Sequence, residues 1–361
     1  MKKAADRFVE AVTKYKSIAI YIPGSPDPDA IASAYAIKEI LAHLSVEADI
    51  FAEHRLSLPQ NQKFIDRLEI PVYFGREVSP RKYDAYIVPD YQNNRVASIG
   101  DRLPCAAHID HHPKLKDRVE SDFTLIRTDS GSTSTLVALL IKNLEIDFPE
   151  KEMVSIVTAL TFGIQTDTDN FSHTNSLDTE ALNYLSEFVD RNIIQDINDI
   201  PPSPDMLLYY KKAKENEKIY KNWGFYGIGF IDAKNRDYIA IAADTILKNS
   251  DHETVVVFAV IENQKKEEMF LDVSLRSGSS SVDLNRLVKQ ITPNGGGRQF
   301  KGAYQVNLDY FRKTPERDML WKVVEATTVD TLRRSRDALY SGGFEGFYRS
   351  LRDKISSILK K

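Results

Sequence analysis

Four stretches of the chain bring acidic or imidazole side chains together at short spacing: Asp27 and Asp29, then Asp90, then Asp110, His111 and His112, then Asp167 and Asp169. Carboxylates gathered in one place repel each other and take up protons unless something positive sits among them. Aspartate oxygens mixed with neutral imidazole nitrogen suit Mn²⁺-like or Mg²⁺-like ions. Two such ions ~3.5–4 Å apart, bridged by one carboxylate, would activate water and clamp a phosphoryl oxygen. Each stretch also has an ordinary reading. Asp27 and Asp29 at a strand-to-helix turn can be solvated or capping residues, and Asp90, Asp169 and His173 can be plain loop residues. The adjacent His111 and His112, following an aspartate at a strand end, are the hardest to dismiss.

These side chains need a frame that delivers them to one place. After an opening helix marked by Phe8, Val9, Val12 and Tyr15, Ser17–Ile22 reads as a buried strand. Beyond the turn-rich Pro23–Pro28, Asp29 stands at the expected N-cap of a helix over Ala30–Leu44. Val46–Ala52, Ala85–Val88 and Ala106–Ile109 read as strands, the last two stopping at Asp90 and at Asp110. Thr133–Leu144 and Glu152–Phe162 read as helices, the second leading into Gly163–Asp167. Strands alternating with helices predict an α/β domain, a largely parallel sheet flanked by helices. Ligands of such sheets sit beyond the strand C-termini, where the acid-bearing loops fall. The run Ser130–Thr135 reads as a helix start with capping hydroxyls, able to support a nearby anion.

Past a helix over Leu177–Val189 the texture changes. Pro201, Pro202 and Pro204 mark a boundary, and Met206–Trp223 reads as a connecting helix. Its lysines 211, 212, 214, 218 and 221 form a solvated face or a groove for nucleotide phosphates. Phe225–Ile231, Tyr238–Ala243, Thr254–Glu262 and Met269–Arg276 read as β-rich; helical Asp283–Val288 and Gly-rich Asn294–Gly297 follow. This is a smaller α+β domain. In the helical tail after Lys313, Phe344, Phe347, Tyr348, Leu351, Ile355 and Ile358 share one face, as core or as a homodimer contact. The expected division is therefore 1–190, a connection over 191–223, a second domain over 224–312, and an extension over 313–361.

The 361 residues, with 48 basic against 52 acidic side chains, carry a net charge of −4, so no global positive field gathers polyanions. Phosphate binding would need a local patch or metal ions. The single cysteine, Cys105, excludes an internal disulfide and a Cys-based zinc cage, and reads as a buried filler suited to a reducing compartment. No apolar run approaches the ~20 residues that span a bilayer, and Ser17–Ile22 is too short for a signal segment. A cytoplasmic location is the expectation.

In this order the motifs resemble the DHH phosphoesterase superfamily, named for Asp-His-His, which includes RecJ-like exonucleases, nanoRNase/pAp phosphatases and family II pyrophosphatases. Ser25-Pro26-Asp27-Pro28-Asp29-Ala30 resembles the first family motif, Pro89-Asp90 with Arg95 the second, Ile109-Asp110-His111-His112-Pro113 the third, and Gly163–Thr168 the fourth. Ser274–Ser277 and Gly295-Gly296-Gly297-Arg298 resemble the substrate strand and Gly-rich loop of an associated DHHA1 domain. The resemblance implies one or two Mn²⁺ or Mg²⁺ ions. Asp27 and Asp90 would hold one; Asp29, Asp90, His111 and Asp167 would hold the other. It places His112 near the scissile phosphate and Asp110 behind the histidine pair, orienting it. Arg276, Gly295, Gly296, Gly297 and Arg298 would meet substrate.

Two departures stand out. The histidine that opens the first family motif is Pro23 here, so one metal site loses a nitrogen. Arg298 replaces the histidine after the glycines; it can fork onto phosphate but cannot shuttle a proton near neutral pH. The resemblance implies a hydrolase of small phosphate esters: short single-stranded oligonucleotides or 3′-phosphoadenosine-type nucleotides. The alternative is a weakened DHH-like protein that binds a nucleotide and senses it.

Overall fold

The computed structural model describes residues 1–358 apart from 57, 94, 95, 97, 98, 265, 293 and 294, and only the backbone helix over 341–358. Arg95, Asn294 and the side chains of the tail stripe from Phe344 to Ile358 lie outside the described residues. The chain divides into two compact units, Met1–Ile200 and Pro201–Lys361.

In chain order, the first unit comprises α1 (Lys2–Val12), β1 (Ser17–Ile22), α2 (Pro28–His43), β2 (Glu47–Ala52), α3 (Pro59–Leu68), β3 (Val72–Phe74), β4 (Ala85–Pro89), β5 (Cys105–Asp110), β6 (Phe123–Ile126), α4 (Thr133–Leu144), α5 (Glu150–Asp167), α6 (Ser176–Leu185) and α7 (Arg191–Asn198). Its six strands lie in the order β3-β2-β1-β4-β5-β6, and every pair is parallel. Both faces of such a sheet are covered, which is why β1, β4 and β5 are apolar almost throughout. One face packs on the helices, with Ile31, Phe64, Leu136, Leu160 and Phe162 fully buried. The other face carries a smaller core that includes Tyr21, Val88, Val96, Ile99 and Val119 and draws on loops.

Strand order reverses between β1 and β4. In an open α/β sheet that switch leaves a crevice at the strand C-termini. Asp27 and Asp29 follow β1, and Asp90 follows β4. Asp110, last residue of β5, lies on the next strand. Gly163 lets α5 pass close to α2 and α4: a Cβ there would strike the Ser134 hydroxyl.

Two local expectations change. Asp27, not Asp29, is the N-cap of α2: its Oδ1 accepts from the Ala30 amide at 2.9 Å, with Pro28 in the first turn. Asp29 is displaced inward. The fourth acid-bearing segment is a helix end, since α5 continues through Gly163 to Asp167.

The second unit comprises α8 (Pro204–Glu215), β7 (Glu217–Tyr220), β8 (Trp223–Asp232), α9 (Tyr238–Lys248), β9 (Thr254–Asn263), β10 (Glu268–Ser277), α10 (Leu284–Ile291), β11 (Gly296–Gly297), β12 (Lys301–Asn307) and α11 (Arg317–Ile358). The sheet order is β11-β12-β10-β9-β8-β7, antiparallel except for β8 with β9, which α9 joins. Tyr238–Ala243 is thus helical rather than a strand: Ile239, Ala242, Ala243 and Ile246 form its buried stripe. The connecting helix stops at Glu215, and Glu217–Tyr220 joins the sheet. Leu320, Val324 and Leu332 of α11 belong to the core over the other face of this sheet. Among the described residues, no helix is long and apolar enough to cross a membrane.

Candidate metal centre

The centre assembles from three strand ends and two helix ends. Asp29, fully buried in the first turn of α2, points at the start of α4. Its Oδ1 accepts the Ser134 amide at 2.7 Å and its Oδ2 the Thr133 amide at 2.8 Å. A helix N-terminus offers unpaired amides and positive potential, so the anion that this helix start supports is Asp29 itself. The α4 N-cap, Ser132, accepts from Thr135 at 3.0 Å. Buried Asp178 braces the same turn, accepting from the Gly131 amide at 2.9 Å and the Thr135 hydroxyl at 2.6 Å.

Asp90 leaves β4 in the left-handed region, at φ +57°, with its amide bound to the Ile109 carbonyl at 2.8 Å. Its Oδ1 accepts from the Thr133 hydroxyl at 2.9 Å and lies 3.5 Å from both His111 Nε2 and His112 Nδ1. His111 Nε2 is also 3.2 Å from Asp167 and 3.9 Å from Asp29. Its other nitrogen, Nδ1, is 3.3 Å from the Ser130 carbonyl. A carbonyl can only accept, so Nδ1 donates there and Nε2 is the ring nitrogen that faces three carboxylates.

Asp110 organises the histidine pair. Its Oδ1 accepts from the His111 amide at 2.8 Å, the His112 amide at 3.3 Å and His112 Nδ1 at 2.8 Å. Among the described residues its buried Oδ2 has no hydrogen-bond partner. His112 remains 40% exposed. Gln92, which the sequence did not single out, holds the following loop: its Nε2 donates to the His112 carbonyl at 2.8 Å and its Oε1 accepts from the Leu115 amide at 2.9 Å.

Burial, then the charges of Asp167 and Asp27, hold the Asp29 carboxyl well above its usual range. Burial and the neighbouring Asp29, Asp27 and Asp167 do the same to Asp90. For Asp110, burial pushes upward, but the bond and charge of His112 together with further hydrogen bonds outweigh it, leaving that carboxyl below its usual range. Two buried acids that resist ionisation, with an imidazole nitrogen beside them, form a site short of positive charge.

The donor set fits a divalent ion. Ligands ~2.1 Å from one ion and at right angles are about 3 Å apart. The separations around His111 Nε2 approach that spacing, and the donors are hard oxygens with one imidazole nitrogen. Asp29, Asp90, His111 and Asp167 would hold the ion. Asp90, Asp110, His111 and His112 form a second cluster within mutual reach. Asp27 gives one oxygen to capping α2 while its charge acts on Asp29 and Asp90.

The remaining candidates lie in the second unit. Arg276 Nε and Nη2 hold Asp244 of α9 at 2.7 and 3.3 Å, and Nη1 donates to the Leu275 carbonyl. A cavity of about 230 Å³ is lined by Arg276, Gly296, Gly297, Lys301 and Arg236. Gly297, at φ +158°, lies so close to Lys301 that a Cβ would collide with its carbonyl. The glycine run is therefore a close backbone approach to β12. The Arg298 amide donates to the Lys301 carbonyl at 2.7 Å, and Gly295 packs on Val288 and Tyr304.

Comparison with known proteins agrees with this architecture. A protein of Methanocaldococcus jannaschii named as uncharacterized, MJ1633, is 28% identical over 304 residues, covering 83% of this chain and 60% of that protein. The chain thus spans less than two thirds of that relative. A second such protein of the same organism, MJ0988, is 24% identical over 306 residues, covering 78% of this chain and 85% of the relative. An exopolyphosphatase-related protein from Bacteroides fragilis shares the fold at a TM-score of 0.68 and 18% identity, over 94% of this chain and 98% of that one. Residues 17–164 match the model of the DHH family, N-terminal domain. The Asp110-His111-His112 turn lies within that stretch, so residues 17–164 form a DHH-family N-terminal domain.

Proposed function

We propose that the protein is a divalent-metal-dependent phosphoesterase acting on small phosphate esters, either short oligonucleotides or 3′-phosphoadenosine-type nucleotides. One observation carries the reading: His111 Nε2 lies 3.2–3.9 Å from three carboxylates, two of them buried. Such a cluster is costly without a cation.

A bound Mn²⁺ or Mg²⁺ would supply Lewis acidity and an activated water there. The residues of the chain do the rest. Thr133 and Ser134 fix the Asp29 oxygens, and Thr133 fixes Asp90. Asp110 holds His112 Nδ1, so Nε2 is the atom that meets a phosphoryl oxygen and moves a proton. Arg276 with the Gly296–Gly297 backbone supplies charge and donors for an anionic substrate group.

The deciding experiment is metal analysis of the purified protein by mass spectrometry, paired with turnover of di- to pentanucleotides and 3′,5′-bisphosphates in Mn²⁺. One or two ions per chain and release of mononucleotide or phosphate are expected. No bound metal and no turnover across the panel would sink the reading. Pro23 and Arg298 favour a second one, a nucleotide sensor, since neither supplies the imidazole of the family motif. A sensor binds its nucleotide at micromolar concentration and leaves it intact after prolonged incubation with metal.

A further inference from the structure

The loop after the histidine pair takes no part in the centre described above, yet it is fixed to it. Residues 113–118 are all exposed, and they carry Lys114, Lys116 and Arg118 against one acid, Asp117. Among the described residues none of the three cations lies within ion-pair distance of a carboxylate. Other cations of this protein do pair, as Lys63 does with Asp196 and Lys218 with Glu325.

The loop is also anchored. Gln92, only 4% exposed, donates to the His112 and Pro113 carbonyls at 2.8 and 3.3 Å and accepts from the Leu115 amide at 2.9 Å. Its own carbonyl accepts from the Val119 amide at 2.9 Å. Gln92 stands two residues after Asp90. One buried side chain therefore ties the cationic loop to the turn that bears a metal-ligand candidate. At most ~7 Å of extended chain separates Lys114 from His112. Between Lys114 and Lys116 stands Leu115, an apolar side chain 47% exposed at the loop tip.

We propose that residues 114–116 are a substrate subsite for the nucleotide next to the scissile phosphate, with Lys114 and Lys116 on its phosphates and Leu115 against its base or sugar. The inference rests on the phosphoesterase reading and narrows it to short oligonucleotides of more than one phosphate. Cations carried on an anchored backbone attract a polyanion without ordering the loop first, and an apolar tip between them fits a nucleotide better than a bare phosphate chain.

The test is binding, read by fluorescence anisotropy with a 5′-fluorescein tetranucleotide in Ca²⁺, across a salt series. Lys114→Ala/Lys116→Ala weakens binding about tenfold. It also flattens the dependence of log affinity on log salt by about 1.4, the two counterion terms expected for a single strand. Leu115→Ser weakens tetranucleotide binding three- to fivefold without changing that slope. With inorganic tripolyphosphate as competitor, the double lysine variant loses affinity and Leu115→Ser does not. Affinity and slope within twofold of wild type in the double variant would overturn the subsite. Equal losses from Leu115→Ser on tripolyphosphate and tetranucleotide would overturn the nucleotide assignment. If tetranucleotide binds in the predicted manner but is never cleaved in Mn²⁺, the phosphoesterase reading fails and the subsite stands.

Discussion

Thr133 touches Asp90 through its hydroxyl at 2.9 Å, and the same residue's amide reaches Asp29 at 2.8 Å. One residue at the start of α4 thus aims two carboxylates from two different strand ends. Thr133→Val keeps the amide and removes the hydroxyl. Groups that orient metal ligands are worth about 10–100-fold in affinity. The variant is expected to bind Mn²⁺ at least tenfold more weakly, measured by calorimetric titration, with a circular dichroism spectrum like wild type.

The metal-free protein should respond to pH in an uncommon direction. Asp29 and Asp90 are raised above their unfolded values, so the folded state holds protons that the unfolded chain has released. Stability then falls as pH rises from the ordinary carboxylate range through the raised values. In EDTA, the first unit is expected to melt higher at pH 5.5 than at pH 8. Asp110, which is depressed, sets the opposite limit: its contribution is lost as pH falls below the ordinary carboxylate range. Saturating Mn²⁺ should remove the decline toward pH 8, because metal replaces the missing protons. A melting temperature that is flat or rising from pH 5.5 to 8 in EDTA contradicts this.

Pro23→His restores an imidazole where the family motif carries one. Mass spectrometry of the manganese-loaded variant should show a higher metal content than wild type, approaching two ions per chain. Turnover in Mn²⁺ should rise with it. An unchanged stoichiometry would mean that position 23 does not face the ions.

Gly297→Ala probes the second unit alone. At φ +158°, and with its Cβ driven into the Lys301 carbonyl, the variant should lose about 2–3 kcal/mol. Urea unfolding followed by Trp223 and Trp321 fluorescence would register the loss. Gly296→Ala, with open space where its Cβ would lie, is expected to cost under 1 kcal/mol.

Much of the first unit was legible because its signals are local. Apolar runs ending in Asp90 and in Asp110-His111-His112 announce strands and place acids at their C-termini. The errors came from tertiary context. Gly163 reads as a helix breaker, yet α5 continues because close passage by Ser134 demands a residue without a side chain. Tyr238–Ala243 alternates β-branched and small residues like a strand, and becomes a helix because α9 must cross between two parallel neighbours, β8 and β9. Asp27 and Asp29 can each cap a helix by type; which one does so depends on where α4 begins, more than a hundred positions away. Gln92 carried no signal, since its role exists only through partners 20 or more positions distant; Thr133 was legible as part of a helix start able to support an anion, but not its bond to Asp90, 43 positions away.

The strand order has a consequence for how damage would spread. Asp27, Asp29, Asp90 and Asp110 hang from the inner strands β1, β4 and β5, whereas the edge strands β3 and β6 are three and four residues long. Fraying begins at the rims of a sheet, where each strand has a neighbour on one side only. Sequence drift or local opening at β3 and β6 can therefore proceed while the interior holds its geometry, and the strand-borne acids would be among the last parts of this unit to let go.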